Sequence, residues 1–150
     1  MTIVKIGTGG WAYFNVPGDR LWSYSRAFNV VEVNSTFYDY PDLDLIKSWR
    51  KRTPKEFEFV VRSHKDLSHK YELQPMKATF QIFDYMMEIC TILRADVISI
   101  QTPPSMKLSS EKIDIINDFF SSLNTKKTRI SWEIRTKKLL DKKKGKGSDV

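Results

Sequence analysis

The chain is predicted to be an α/β protein built on a parallel sheet. Three observations predict this. Five short apolar runs alternate with four segments of helical spacing, in a β-α-β-α-β-α-β-α-β order. Proline, glycine and capping residues punctuate the boundaries. Each run after the first ends in polar side chains, as strands do where a sheet meets a ligand. Strands joined through helices pair in parallel by right-handed crossovers. Two architectures satisfy the pattern at this point: an open doubly wound sheet, or part of a (β/α)8 barrel.

Ile3 to Ile6 is a short apolar run that stops at Gly7-Thr8-Gly9-Gly10, which predicts a strand and a turn. Trp11 to Gly18 reads as an aromatic loop closed by Pro17-Gly18. Asp19 is placed to cap a helix through about Phe28, with Leu21, Trp22, Tyr24 and Phe28 inward. Val30 to Tyr38 is the second strand and its polar, aromatic rim. Pro41 and Asp42 open a helix carrying Leu43, Ile46, Trp49 and Arg50, and Thr53-Pro54 ends it.

Phe57 to Arg62 is the third strand, followed by a polar loop from Ser63 to Gln74 that holds both histidines, His64 and His69. Pro75 begins a long helix to about Arg94, with Phe80, Phe83, Met86, Met87, Cys90 and Leu93 inward. Asp96 to Gln101 is the fourth strand, closed by Thr102-Pro103-Pro104. Ser109 or Ser110 caps a helix with Ile113, Ile116, Phe119 and Phe120 on one face. Arg129 to Arg135 is the fifth strand. After Leu140 the chain is rich in Lys and Gly without periodicity, and residues 136–150 are expected to form a basic, disordered tail.

The totals bound the class. One hundred and fifty residues make one domain with a real core, and 41% hydrophobic residues is a globular fraction. No run approaches a transmembrane span, the start lacks the pattern of a signal peptide, and a single cysteine forms no internal disulfide. These point to a cytoplasmic protein with no membrane partner. The net charge of +7 belongs to the last 25 residues: residues 1–125 hold 15 basic and 15 acidic side chains, and residues 126–150 hold 10 and 3. Such an end binds nucleic acid weakly and without specificity, or is simply solvated.

Alternation assigns the strand ends. Glu32 and Asn34, Arg62, Gln101, and Glu133 and Arg135 have the parity opposite to the bulkier apolar residues of their strands. The apolar set therefore faces the helices, and the polar set converges on the other side near the C-terminal ends. A carboxylate and an amide on one strand face are costly to bury without partners. The set is either a binding site, with arginines for an anion and glutamates as acid and base, or an ion-pair network.

His64 and His69 lack a metal-binding spacing, and no metal is expected; His69 is the better candidate for proton transfer near neutral pH. Gly7-Thr8-Gly9-Gly10-Trp11-Ala12 matches G-x-G-x-x-A, but an aromatic loop stands where a dinucleotide site needs a helix, so that site is rejected. Trp11, Tyr13, Phe14, Phe37, Tyr38 and Tyr40 gather in the loops after strands one and two and are expected to wall a pocket, the alternative being that they simply cap the barrel.

These motifs resemble the YecE-like family, also called domain of unknown function 72. Ile6-Gly7-Thr8-Gly9-Gly10-Trp11-Ala12-Tyr13 is similar to its IGTSGWSY, and Val31 to Tyr38 to its VEINSTFY. Trp49 with Thr53-Pro54, Phe57 to Val61, Leu67-Ser68-His69, Gln101-Thr102-Pro103-Pro104 and Glu133-Ile134-Arg135 follow its later motifs in order, with Arg62 where lysine is usual. The resemblance implies a TIM-barrel-like fold and no established activity or cofactor. Glu32, Asn34, Thr36, Tyr38, His69, Gln101, Glu133 and Arg135 all lie in its motifs.

A (β/α)8 domain takes about 250 residues, so residues 1–135 are expected to be a partial barrel of five strands and four helices, cut short after about residue 135. Open outer strands then invite self-association or a complementing chain. The expected function is a barrel enzyme acting on a phosphate-bearing or nucleotide-like ligand. Glu32, His69 and Glu133 are its candidate catalytic residues, and Trp11, Tyr13, Asn34, Thr36, Tyr38, Arg62, Gln101 and Arg135 its binding residues. The alternatives are a non-catalytic ligand- or nucleic-acid-binding module and an inactive remnant.

Overall fold

The computed structural model describes residues 4–135; the predicted tail lies outside the described residues. Strands β1 (Gly7–Gly9), β2 (Val30–Val33), β3 (Glu58–Arg62), β4 (Val97–Thr102) and β5 (Arg129–Ile134) alternate with helices α1 (Arg20–Ala27), α2 (Leu43–Lys51), α3 (Lys77–Leu93) and α4 (Ser110–Ser121). A 3₁₀ turn, Ser35–Phe37, follows β2, and a π-helical turn, Asp66–Lys70, follows β3.

The strands pair in parallel in the order β1-β2-β3-β4-β5. That order decides between the two architectures. A doubly wound sheet reverses its strand order once, which sends helices to both faces. A consecutive order with right-handed crossovers keeps them all on one face. The sheet is therefore of the TIM-barrel-like (β/α) kind, with one face packed and the other turned inward.

The packed face follows the alternation. Val31, Val33, Phe59, Val61, Ile98 and Ile100 are buried against Leu21, Tyr24, Ile46, Trp49, Phe83, Met86, Ile89, Leu93, Ile116 and Phe119 from the helices. On the inner face Lys5, Gly7, Gly9, Val30, Glu32, Val60, Val97, Ser99 and Ser131 line an open trough of about 540 Å³. Ile130 and Trp132 of β5 are only half-buried and Ile134 is exposed, so the packed face thins towards that edge.

The caps form as their residue types dictate. Asp19 accepts from the Trp22 N–H, Asp42 from the Asp44 N–H and Ser109 from the Lys112 N–H. Cys90 is buried in α3 and its thiol is pushed up to about 12 by burial, as a core residue's would be.

Four readings are corrected. The first strand lies on Gly7–Gly9 rather than on residues 4–6, the described part of the apolar run before it, because β1 packs so close to β2 that a Cβ at Gly7 would collide with the Val30 carbonyl. Trp22 is not inward: it is half exposed, with the Arg26 guanidinium 5.1 Å over its ring. The stretch 63–74 is no simple polar loop, since Leu67, Ser68 and Leu73 are buried under it. Tyr40 does not join Trp11, Tyr13 and Tyr38 around one cleft, and Phe14 lines a separate, smaller one of about 210 Å³ with Tyr13, Tyr24 and Phe28. Phe14 packs edge-on against Tyr24 and Phe28, and Tyr40 stacks on the buried His64 at 3.9 Å. Burial against His64 pushes the Tyr40 phenol up to about 12.

Candidate functional site

The C-terminal ends of β2, β3, β4 and β5 bring most of the polar set together. Asn34, Arg62, Gln101, Glu133 and Arg135 form one hydrogen-bonded chain across the sheet. The Arg62 guanidinium donates to the Gln101 side-chain carbonyl and, at 3.4 Å, to Asn34 Oδ1. Gln101, itself buried, passes its amide N–H to Glu133 Oε2 at 2.5 Å. Glu133 Oε1 accepts from Arg135 Nε at 2.8 Å.

Each member is set in place by its own strand. Alternation turns Arg62, Gln101 and Glu133 to the inner face, and parallel pairing brings Gln101 level with Glu133. Thr36 supports the arrangement from beneath. It is fully buried, and its hydroxyl, 2.8 Å from the Val33 carbonyl and 2.6 Å from the Arg62 carbonyl, ties the end of β2 to the end of β3. It meets no solvent, so it positions Arg62 and does not reach a ligand itself.

The two arginines differ. Arg135 spends its charge on Glu133. Arg62 makes no ion pair among the described residues. Its partners are two neutral amides and the ring of Phe37, 4.4 Å from the guanidinium carbon, and its Nε is buried without an acceptor. The chain is therefore not a closed network of paired charges.

His69 stands beside this cation. Its ring meets Phe37 edge-on at 5.2 Å, and Nδ1 lies 2.9 Å from the Ser68 hydroxyl. Ser68 donates its one proton to the Gln101 backbone carbonyl at 2.6 Å, so it accepts from His69. That assigns the proton to Nδ1 and leaves Nε2 as the basic nitrogen. Burial, then the charges of Arg62 and Arg135, hold the imidazole below its ordinary value. Glu133 moves the same way for a different reason: hydrogen bonds from Arg135 and Gln101 keep its carboxyl below the usual range. It is an anion near neutral pH and an anchor, not a proton donor. Glu32 lies on the inner face at the level of Gly9 and accepts no hydrogen bond among the described residues.

Trp11, Tyr13 and Tyr38 lie around a second feature, a cleft of about 430 Å³ between the β1–α1 loop and the end of β2. It shares Asn34 with the polar chain. Ser68 and Phe37 are the members that sequence reasoning missed as partners of Arg62 and His69. A serine in a polar stretch carries no signal, and Phe37 reads as one more loop aromatic. No helix begins at the glycines of β1, consistent with rejecting a dinucleotide fingerprint, and the first helix starts at Arg20. Among the described residues no three His, Cys, Asp or Glu side chains group as metal ligands, and no helix is long and apolar enough to cross a membrane.

Comparison with known proteins agrees with the fold. The model of a family described as "Protein of unknown function DUF72" matches residues 5–146. The UPF0759 protein YecE of Escherichia coli (strain K12) is 35% identical over 75 residues, 48% of this chain and 28% of that one. The UPF0759 protein YunF of Bacillus subtilis (strain 168) is 23% identical over 123 residues, 74% of this chain and 44% of that one. The chain thus spans less than half the length of either relative. Crystal structures of DUF72 family proteins from Enterococcus faecalis V583 and Thermotoga maritima MSB8 each superpose with a TM-score of 0.65. Their identities are 16% and 19%, covering 87% and 89% of this chain and 51% and 56% of theirs.

Proposed function

The chain belongs to the DUF72 family, and we propose that it binds a phosphate-bearing or nucleotide-like ligand at its strand ends, with Arg62 as anion receptor and His69 as proton acceptor. One observation carries this reading: among the described residues Arg62 is a part-buried cation that makes no ion pair, its hydrogen bonds going to neutral amides while Glu133, whose charge it feels, is bonded to Arg135. Holding a cation partly out of water without a direct ion-pair partner is costly, and an anionic ligand group supplies such a partner. A planar guanidinium held by two amides presents its remaining N–H groups in fixed directions, which suits the oxygens of a phosphate.

The chemistry beside that anion follows from the proton assignment. An imidazole held below its ordinary pKa, with one nitrogen fixed by Ser68, is suited to remove a proton from a bound substrate. Glu32 is the second acid–base candidate, since its carboxylate accepts no hydrogen bond among the described residues. Glu133 and Arg135 hold Gln101, and through it Arg62. In this reading a barrel enzyme of the family acts on the ligand at these ends.

Calorimetric titration with inorganic phosphate tests it. The native chain is expected to bind phosphate, and Arg62→Gln to weaken that binding by about 10-fold or more, the scale of a lost charge-assisted hydrogen bond. Equal affinity in the two proteins, with melting temperatures unchanged, overturns the assignment.

A further inference from the structure

We infer that the cleft beside Arg62 receives a hydrogen-bond-accepting ring, so that the ligand is of nucleoside monophosphate size, its ring between Trp11, Tyr13 and Tyr38 and its phosphate at Arg62. The inference rests on the phosphate reading above and names the ligand class for that site.

Three features of the cleft support it. The first is its size: about 430 Å³ lies within the range of small-molecule sites, roughly 300–1,000 Å³, and suits a single ring with a short arm. The second is its aromatic lining. Trp11 is held edge-on by Trp49, with ring centroids 5.0 Å apart and planes at 82°. Tyr13 and Tyr38 are left 98% and 62% exposed. Tyrosines presented to solvent beside a fixed tryptophan supply ring faces with little conformational freedom to lose. Lys65 Nζ lies 5.8 Å over the Tyr38 ring and adds a second cation that makes no ion pair among the described residues.

The third is Asn34, which the cleft and the polar chain share. Its Oδ1 accepts from Arg62, which turns Nδ2 the other way, against Gly9. Among the described residues Nδ2 donates to nothing. A Cβ at Gly9 would stand 2.5 Å from that nitrogen, so glycine there is what lets the amide occupy its place. Asn34 thus offers N–H donors to the cleft while orienting the cation. A ring with acceptor edges, such as a nucleobase, fits those donors; an aliphatic ring does not. Because one side chain spans both halves, the arm joining ring to phosphate must be short.

Calorimetry on the full chain with inorganic phosphate, ribose 5-phosphate, adenosine and AMP separates the two readings. AMP is expected to bind at least tenfold more tightly than ribose 5-phosphate. In Tyr13→Ala/Tyr38→Ala, two exposed positions where folding is not at stake, the ratio of those affinities should fall to near one. Gly9→Ala, which displaces the Asn34 amide, should lower it as well. If AMP and ribose 5-phosphate bind equally to the native chain, the ring reading is overturned and the anion site stands. If adenosine matches AMP and Arg62→Gln changes neither, the anion site is overturned. If none of the four binds to a chain with a cooperative melt, both are.

Discussion

The Arg62 guanidinium lies 4.4 Å over the ring of Phe37, and that ring meets His69 edge-on at 5.2 Å. One aromatic side chain thus stands between a cation that makes no ion pair among the described residues and a histidine held neutral. A ring's face attracts positive charge, but far more weakly than a carboxylate does. Arg62 therefore keeps a field that an ion pair would have quenched.

That field sets the first prediction. Burial and Arg62 both depress the His69 pKa, and a phosphate docked on Arg62 adds negative charge beside the ring. In an NMR pH titration, saturating phosphate and Arg62→Gln should each raise the His69 pKa towards its ordinary value. An unchanged titration curve in both cases would place the anion elsewhere.

The sign of the pH dependence is fixed by the same depression. Folded His69 takes up its proton at a lower pH than unfolded His69 does. Between the ordinary imidazole value of about 6.5 and the lowered folded one, the unfolded chain binds more protons. Stability contributed by His69 is thus complete above about pH 6.5 and declines as the pH falls below it. Chemical denaturation from pH 7.5 to 5 should show this decline, and His69→Gln should flatten it.

Thr36 predicts a change felt at a distance. Thr36→Val keeps the shape and removes the hydroxyl bonded to the Val33 and Arg62 carbonyls. Leaving buried polar groups unpaired costs about 1–3 kcal/mol. Urea denaturation should show that loss, and phosphate affinity should fall although Thr36 touches no solvent. Unchanged affinity in a folded variant would mean that Arg62 is held well enough by its side-chain partners alone.

Gln101 is the bridge between the two halves of the charge chain. Gln101→Leu removes an acceptor from Arg62 and a donor from Glu133 at once. The Glu133 pKa should rise, since one of the hydrogen bonds that lower it is gone. Titration by carboxyl-carbon NMR should register the rise, and Arg135→Ala should produce a larger one because Arg135 is the first cause.

The outer strands make a prediction about association. Among the described residues β1 pairs only with β2 and β5 only with β4, which leaves a row of unpaired backbone groups at each edge. Sedimentation equilibrium of this chain should show concentration-dependent self-association. A single monomeric species across the accessible range would count against exposed edges.

Most of the sheet was legible because burial on one face forces period-two alternation. Val31 and Val33, Phe59 and Val61, and Ile98 and Ile100 could face only the helices, and this aimed Arg62, Gln101 and Glu133 correctly. Asp19, Asp42 and Ser109 were legible as caps because a short oxygen-bearing side chain before a helical run has little else to do. β1 was misplaced because hydrophobicity marks burial, whereas Gly7 is chosen for how close two backbones come. Trp22 was misassigned because adjacent apolar residues on a helix point about 100° apart, and Leu21 took the inward direction. Ser68 was invisible because its role depends on a carbonyl 33 residues away.

The strand order has a consequence for synthesis. Among the described residues every strand after the first pairs with the one made just before it, so each new β-α unit finds its template already finished as it leaves the ribosome. None of these five strands waits for a later neighbour to be inserted between it and its partner. The sheet can grow by addition at one margin, and the strand ends at which Arg62 meets Asn34 are assembled before Gln101 and Glu133 arrive to hold them.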